Sequence, residues 1–261
     1  MTYRVLSAEP LLAAGKGAGA VLGLETGTGI ASLGLVAQGR IVVSLARPAP
    51  SHGADLPALV AELLGLAGLE FRELSAVAVG IGPGSFTGLR IGLSYAKGIT
   101  MGSGIAIVGV PSLDAMALCA QASAAPRPGL NICPIIDARK GEAYASLYRV
   151  VGDALENEVG SLVVPLNDFA ARITGDVAFI GESKAEEACA IANANGGRAT
   201  HAGATELRHQ GSFVAALGAQ RIAQRNVDQA ATLEPLYVRA PEASLKSTAV
   251  NPKEGTHHGT P

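Results

Sequence analysis

Tryptophan is absent from the 261 residues, and aromatic side chains make up only 4% of them. Stacking platforms for bases are therefore scarce. Basic clusters are scarce too: 20 Lys and Arg stand against 22 Asp and Glu, a formal net charge of −2. Both shortages argue against nucleic-acid binding by this chain alone. No apolar run reaches the roughly eighteen residues that a membrane helix needs. The three cysteines, Cys119, Cys133 and Cys189, are odd in number and form no CxxC pair. That excludes a disulfide framework and predicts small core thiols in a reduced, cytoplasmic protein.

Apolar residues are plentiful at 48%, charged residues reach only 16%, and there are 33 glycines. With few aromatics, the core must rest on Leu, Val, Ile and Ala, and the length suits one large domain or two lobes. The opening stretch "MTYRVLSAEPLLAAGKGAGA" has Arg4, an apolar segment and Ala18-Gly19-Ala20, a faint likeness to a leader peptide. Lys16 and the glycines around it interrupt that likeness, so residues 1–20 are predicted to be a flexible extension. Residues 244–261 lack periodicity and are predicted to be a disordered tail, which makes His257 and His258 poor metal ligands.

Periodicity organises the rest. Short apolar runs at 21–25, 30–36 and 41–45 are separated by "TGTG" and "AQGR" and read as an antiparallel meander. Leu56, Leu59, Val60, Leu63, Leu64 and Ala67 keep helical spacing, and Pro57 fits the first turn of that helix. "AVAVGI" has the continuous apolar character of a buried central strand; a helix at 86–101 and a strand at 105–110 follow. After Pro111 the order partly repeats, with a hairpin around "ARKG", a strand at 158–164, a short helix, a strand at 177–181 and a helix at 212–225. Two mixed α/β lobes fit this order. The first spans 21–111 and is completed by the C-terminal helix and strand at about 212–243; the second spans 112–211.

The stretch "IGPGSFTGLRIGLSYAKG" joins a glycine-rich loop to a helix. It departs from three standard patterns. Gly88 is followed by Leu89 and Arg90 and not by Lys-Ser/Thr; Gly82, Gly84 and Gly88 give GxGxxxG; and Ser85 lacks the second glycine of a nucleophile elbow. Loop amides can still receive an anion, so Gly82, Gly84 and Ser85, with Glu25 and Thr26 of the first turn, form a candidate nucleotide site. An ordinary hairpin turn is the alternative for "ETGTG". Gly88, Gly92, Ala96 and Thr100 fall on one helical face, and Ala54, Ala58, Ala61 and Gly65 share the side of the preceding helix opposite its leucines. Either the two stripes pack on each other inside the lobe or both meet a partner chain. On the partner reading, Gly92→Leu spares the fold and blocks pairing, while Leu59, Leu63, Leu89 and Leu93 hold the core. No histidine pair has metal-binding spacing: His52 is followed four positions later by Leu56, and His201 and His209 stand alone.

"GPGSFTGLRIGLSYAKGI", "IIDARKGEAYASLY", "EPLYVR" and the opening "ETGTGIASLGL" together resemble the signatures of the bacterial TsaB family, also called YeaZ, from about Val21 to Arg239. The resemblance implies an actin-like (ASKHA) fold of two ribonuclease-H-like lobes. It also implies a non-catalytic subunit, with no cofactor of its own, that pairs with the catalytic TsaD and the ATPase TsaE, with ATP and Mg²⁺ belonging to the assembled complex. That complex moves a threonylcarbamoyl group from its adenylate to the adenosine beside the anticodon of tRNAs reading A-starting codons. In that family the first two helices make the dimer surface, so a homodimer is expected of the isolated chain and tRNA is met only through partners. Leu56 replaces half of the catalytic relative's His-x-x-x-His pair. Glu25 stands where the family usually has Asp, a departure that argues against nucleotide hydrolysis. The competing readings are a free-standing actin-like ATPase or kinase using Glu25, and a glycoprotease-type peptidase.

Overall fold

A computed structural model describes residues 3–6, 8–48, 55–123, 128–173 and 175–238. Strand β1 (Tyr3–Leu6), helix α1 (Ala8–Ala14) and a 3-10 turn (Lys16–Ala18) lead into a meander of β2 (Ala20–Glu25), β3 (Ile30–Ala37) and β4 (Arg40–Pro48). Then come α2 (Leu56–Ala67), β5 (Leu74–Gly82), α3 (Phe86–Ser103) and β6 (Ala106–Pro111). The sheet runs β4-β3-β2-β5-β6, antiparallel through the meander and parallel from β2 to β6. β2 and β5 are buried almost throughout, as central strands covered on both faces must be; the edge strand β4 is largely exposed.

The chain continues through α4 (Ser112–Ser123), β7 (Asn131–Arg139), β8 (Glu142–Val151), β9 (Ala154–Pro165), α5 (Leu166–Arg172), β10 (Asp176–Gly181), α6 (Ser183–Ala194), β11 (Arg198–Ala202), α7 (Ala204–Leu207) and α8 (Gln210–Ala223). The second sheet repeats the first in order and sense as β9-β8-β7-β10-β11, and β1 joins it antiparallel to β9. Lys140 and Gly141, at φ 54° and 79°, link β7 to β8 in the left-handed turn that matches the twist of a two-residue hairpin.

The last helix of each repeat crosses to the other lobe. Helix α4 follows the first sheet yet packs on β7, β8 and β10; α8 follows the second sheet yet lies across β2, β3 and β5. The two also pack on each other. α8 lies unusually close to its sheet because glycines face it. A Cβ at Gly23 would meet the Gly211 carbonyl oxygen at 2.1 Å, and one at Gly34 would meet the Ser212 Cα at 2.3 Å. One apolar cluster therefore spans both lobes, joining Val21, Ala78 and Val108 to Ile132, Tyr148 and Ile180 through Leu113 and Met116 of α4 and Val214 and Ala215 of α8. Separate clusters fill the other faces, under α2 and α3 in the first lobe and under α5 and α6 in the second.

Three sequence expectations are corrected here. Residues 3–6 and 8–18 are not a loose extension: they form β1, α1 and a turn, with Leu11 fully buried in the shared core. The segment 234–238 forms no strand; the Leu236 amide donates a hydrogen bond to the Ile81 carbonyl at 2.7 Å and holds it. The sequence pattern does not show α4, α6 or β11: α4 is buried almost throughout and α6 is rich in alanine, so neither helix has a clean amphipathic period. The tail at 244–261 lies outside the described residues.

Candidate functional site

The turn after β2 and the loop before α3 grip each other. The Ser85 amide donates to the Gly27 carbonyl at 2.7 Å, and the Thr26 hydroxyl donates to the Gly88 carbonyl at 2.8 Å. Ser85 caps α3, its hydroxyl accepting from the Gly88 amide at 3.3 Å. A Cβ at Gly88 would fall 2.0 Å from the Thr26 carbonyl oxygen, and one at Gly92 would fall 2.3 Å from Thr26 Oγ1. The glycines of α3 are thus required by the chain's own first turn. Gly92, Ala96 and Thr100 are buried and Gly88 is half-buried, all facing inward. The expectation that Gly88, Gly92, Ala96 and Thr100 meet a partner is corrected accordingly, as is the harmlessness of Gly92→Leu, which would drive a side chain into Thr26.

Helix α2 behaves in the opposite way. Ala58, Ala61 and Gly65 are exposed, and Ala54 lies outside the described residues. Leu66 beside them is 64% exposed, and Met101 near the end of α3 is 75% exposed. Gly98 of α3 has open space where a Cβ would stand. Leu59, Leu63, Leu89 and Leu93 are all buried in the core as expected. On α2 and at the end of α3 the lobe therefore shows solvent small and apolar residues, interrupted by the charged Glu62 next to Ala61.

Glu25 sits at the end of β2, completely buried. Its Oε1 accepts from the Gly27 amide at 2.7 Å, and its Oε2 accepts from the Ser112 hydroxyl at 2.7 Å and from Gln210 Nε2 at 3.3 Å. Ser112 Oγ in turn accepts from the Gly82 amide at 3.1 Å, and Gln210 Nε2 also donates to the Ser112 carbonyl at 3.1 Å. Burial raises the Glu25 pKa above 4.5, while the hydrogen bonds from Ser112, Gly27 and Thr26 pull it the other way. The carboxylate thus engages the Gly27 amide of the first turn, and through Ser112 and Gln210 it ties the end of β2 to α4, α8 and the end of β5 in one knot.

Between the lobes lies a cleft of about 710 Å³. The first lobe contributes Gly27, Thr28, Gly29, Gly84 and Ser85; the second contributes Asp137, Arg139, Tyr144, Glu182 and Lys184. Of the candidate nucleotide residues only Gly84 and Ser85 line it. Glu25, Thr26 and Gly82 are turned to internal bonds, which corrects their placement in one open site. Opposite, the Glu182 carboxylate presses on Gly29, with Oε1 2.3 Å from where a Cβ would be. Asp137 pairs with Arg139 at 3.5 Å, and Arg139 adopts φ 69° where the β7–β8 register shifts. Sequence reasoning missed these second-lobe residues. The "DARKG" turn was their one visible signal. Ser112 and Gln210, 87 and 185 positions from Glu25, gave none. No group of three or more potential metal ligands occurs among the described residues, and no helix among them is long and apolar enough to cross a membrane.

Two ribonuclease-H-like lobes that exchange helices about a central cleft define the actin-like class. Comparison with known proteins narrows this. The TsaD family model, tRNA N6-adenosine threonylcarbamoyltransferase, matches residues 46–246. The tRNA threonylcarbamoyladenosine biosynthesis protein TsaB of Haemophilus influenzae is 26% identical over 84% of this chain and 93% of its own. Its namesake in Bacillus subtilis is 32% identical over 67% of this chain and 74% of its own. Among solved structures, YeaZ from Pseudomonas aeruginosa has the same fold, with a TM-score of 0.67 at 22% identity over 84% of this chain and 99% of that one. The chain belongs to the family that the TsaD model describes and, within it, to the TsaB (YeaZ) proteins.

Proposed function

We propose that this chain is a non-catalytic scaffold and activator subunit in tRNA threonylcarbamoyladenosine biosynthesis, working in the cytoplasm with TsaD and TsaE. The observation that carries the non-catalytic part is the Glu25 knot. A turn whose amide already serves an internal carboxylate, faced by a second carboxylate at Glu182, is poorly suited to polyphosphate. On this reading the chain has no cofactor of its own, and ATP and Mg²⁺ belong to the assembled complex. tRNA is contacted through the partners, in keeping with the balanced charge.

The pairing part rests on the outer surface of α2 and α3. Ala58, Ala61 and Gly65 let another backbone approach closely, and Leu66 and Met101 supply apolar area that would be buried on docking. This surface replaces the inward-facing stripe of α3 as the docking face, for TsaD and for a second copy when the chain is alone. Ala61→Arg tests it. Gel filtration of the chain mixed with TsaD is expected to show co-elution of the unaltered chain and separate elution of the variant, with equal far-ultraviolet dichroism. Co-elution of the variant would refute the assignment. The competing ATPase reading is tested by ATP turnover of the isolated chain with Mg²⁺, for which none above background is expected.

A further inference from the structure

We propose that residues 3–6 and 8–18 form a clasp that fixes the angle between the two lobes and so sets the opening of the cleft. The segment touches both lobes. β1 pairs residues 3–6 with 157–154 of β9, in the second sheet. α1 then lies on α8, the helix that covers the first sheet. Leu11 is fully buried there, and Val5 and Ala18 join the same shared core. The fit against α8 is close, because a Cβ at Gly15 would meet Ala219 Cβ at 2.8 Å. α1 also reaches the first lobe's own hairpin, where a Cβ at Gly39 would stand 2.8 Å from the Leu12 carbonyl oxygen. The chain then enters β2 at Ala20.

The clasp and the cleft lie at opposite ends of the central strands. The cleft residues Gly27 and Ile135 to Arg139 follow or end β2 and β7. The clasp enters β2 at its start. It also pairs with the part of β9 that lies against 148–151 of β8, next to the start of β7, where Asn131 pairs with Arg149. Opening the cleft rotates the lobes about the end that the clasp joins, so β1, paired with β9, and α1, packed on α8, must shift against each other as the cleft widens. A four-residue strand plus a packed helix spanning both bodies therefore resists opening of the cleft. This inference is independent of the partner reading above, since it concerns the isolated chain.

Spin labels test it. Ser85→Cys in the first lobe and Arg139→Cys in the second, in a Cys189→Ser background, place one label on each side of the cleft at exposed positions. Pulsed electron–electron resonance on the full chain is expected to give one narrow distance distribution. Removal of residues 1–16 is expected to widen it at least twofold and to shift it to longer distance, with the dichroism spectrum kept apart from the lost α1. Leu11→Ser, which keeps every backbone bond of β1, is expected to give an intermediate width. An unchanged distribution in the truncated chain would overturn the proposal. So would failure of both variants to fold, because the segment would then be required by the lobes themselves and not by their arrangement.

Discussion

Glu25 and the helix glycines show how single residues carry this account. Burial raises the Glu25 pKa, so the folded chain binds that proton more tightly than the unfolded chain does. The sign follows: Glu25's contribution to stability is fully present below about pH 4.5 and is lost as the pH rises through its higher folded value. Urea unfolding of Glu25→Gln across this range is expected to show a flatter pH dependence than the unaltered chain. Gln210 can accept from the new amide through Oε1 only by giving up its Nε2 bond to the Ser112 carbonyl, so the variant is also expected to be less stable at every pH. Glu25→Ala is expected to lose about 3 kcal/mol, because buried donors on Gly27, Ser112 and Gln210 would lose their acceptor. The glycines of α3 divide by what they face. Gly98→Ala, on open surface, is expected to stabilise by about 0.5–1 kcal/mol through helix propensity. Gly92→Leu is expected to destabilise by about 3 kcal/mol or more through collision with Thr26. Chemical denaturation of the pair checks both signs. The sequence reveals that a backbone comes close to Gly88 and Gly92. It cannot reveal which one, because Thr26 lies 62 positions from Gly88 and no local pattern joins them.

Elements differ in how openly their sequences declare them. The meander, α2, β5 and α3 were legible because each has one face or both in a single uniform environment, which gives a clean period or an unbroken apolar run. α4 was not, since it is enclosed by both lobes and so is buried on nearly every side, with no exposed polar face to set a period. The clasp was hidden by Gly15 and Lys16, residues that read as a break in a leader-like stretch. In the fold Gly15 is the contact point with Ala219. The exchange of α4 and α8 has a direct consequence at this scale. Residues 20–111 expressed alone would leave bare the sheet face that α8 covers, with Gly23 and Gly34 offering no side chains to close the gap. That fragment is expected to be insoluble or to lack cooperative unfolding, and supplying residues 203–238 in trans is expected to restore a cooperative transition. A soluble, cooperatively unfolding fragment would show that α8 is dispensable to the first sheet.

For the whole molecule, the two-lobed α/β architecture could be read from the repeated order of strands and helices, and the family from four short motifs. The working surfaces were only half legible. The spacing leaves both stripes open between internal packing and a partner surface; in the fold Ala58, Ala61 and Gly65 of α2 are exposed, whereas Gly92, Ala96 and Thr100 of α3 are internal. The cleft was seen from one side only, since its second wall comes from Asp137, Arg139 and Glu182, which the fold brings to Gly29 from over a hundred positions away. The central claim is that this chain acts by docking its outer α2–α3 surface and contributes no chemistry. Its most direct test is threonylcarbamoyl transfer to tRNA by TsaD and TsaE, supplied with either the unaltered chain or the double variant Leu66→Glu, Met101→Glu. Both substitutions are exposed, so unfolding free energies should agree within about 1 kcal/mol. The expected result is full transfer with the unaltered chain and at least a tenfold loss with the folded variant. Undiminished transfer with that variant, or transfer by the chain without TsaD, would contradict the claim.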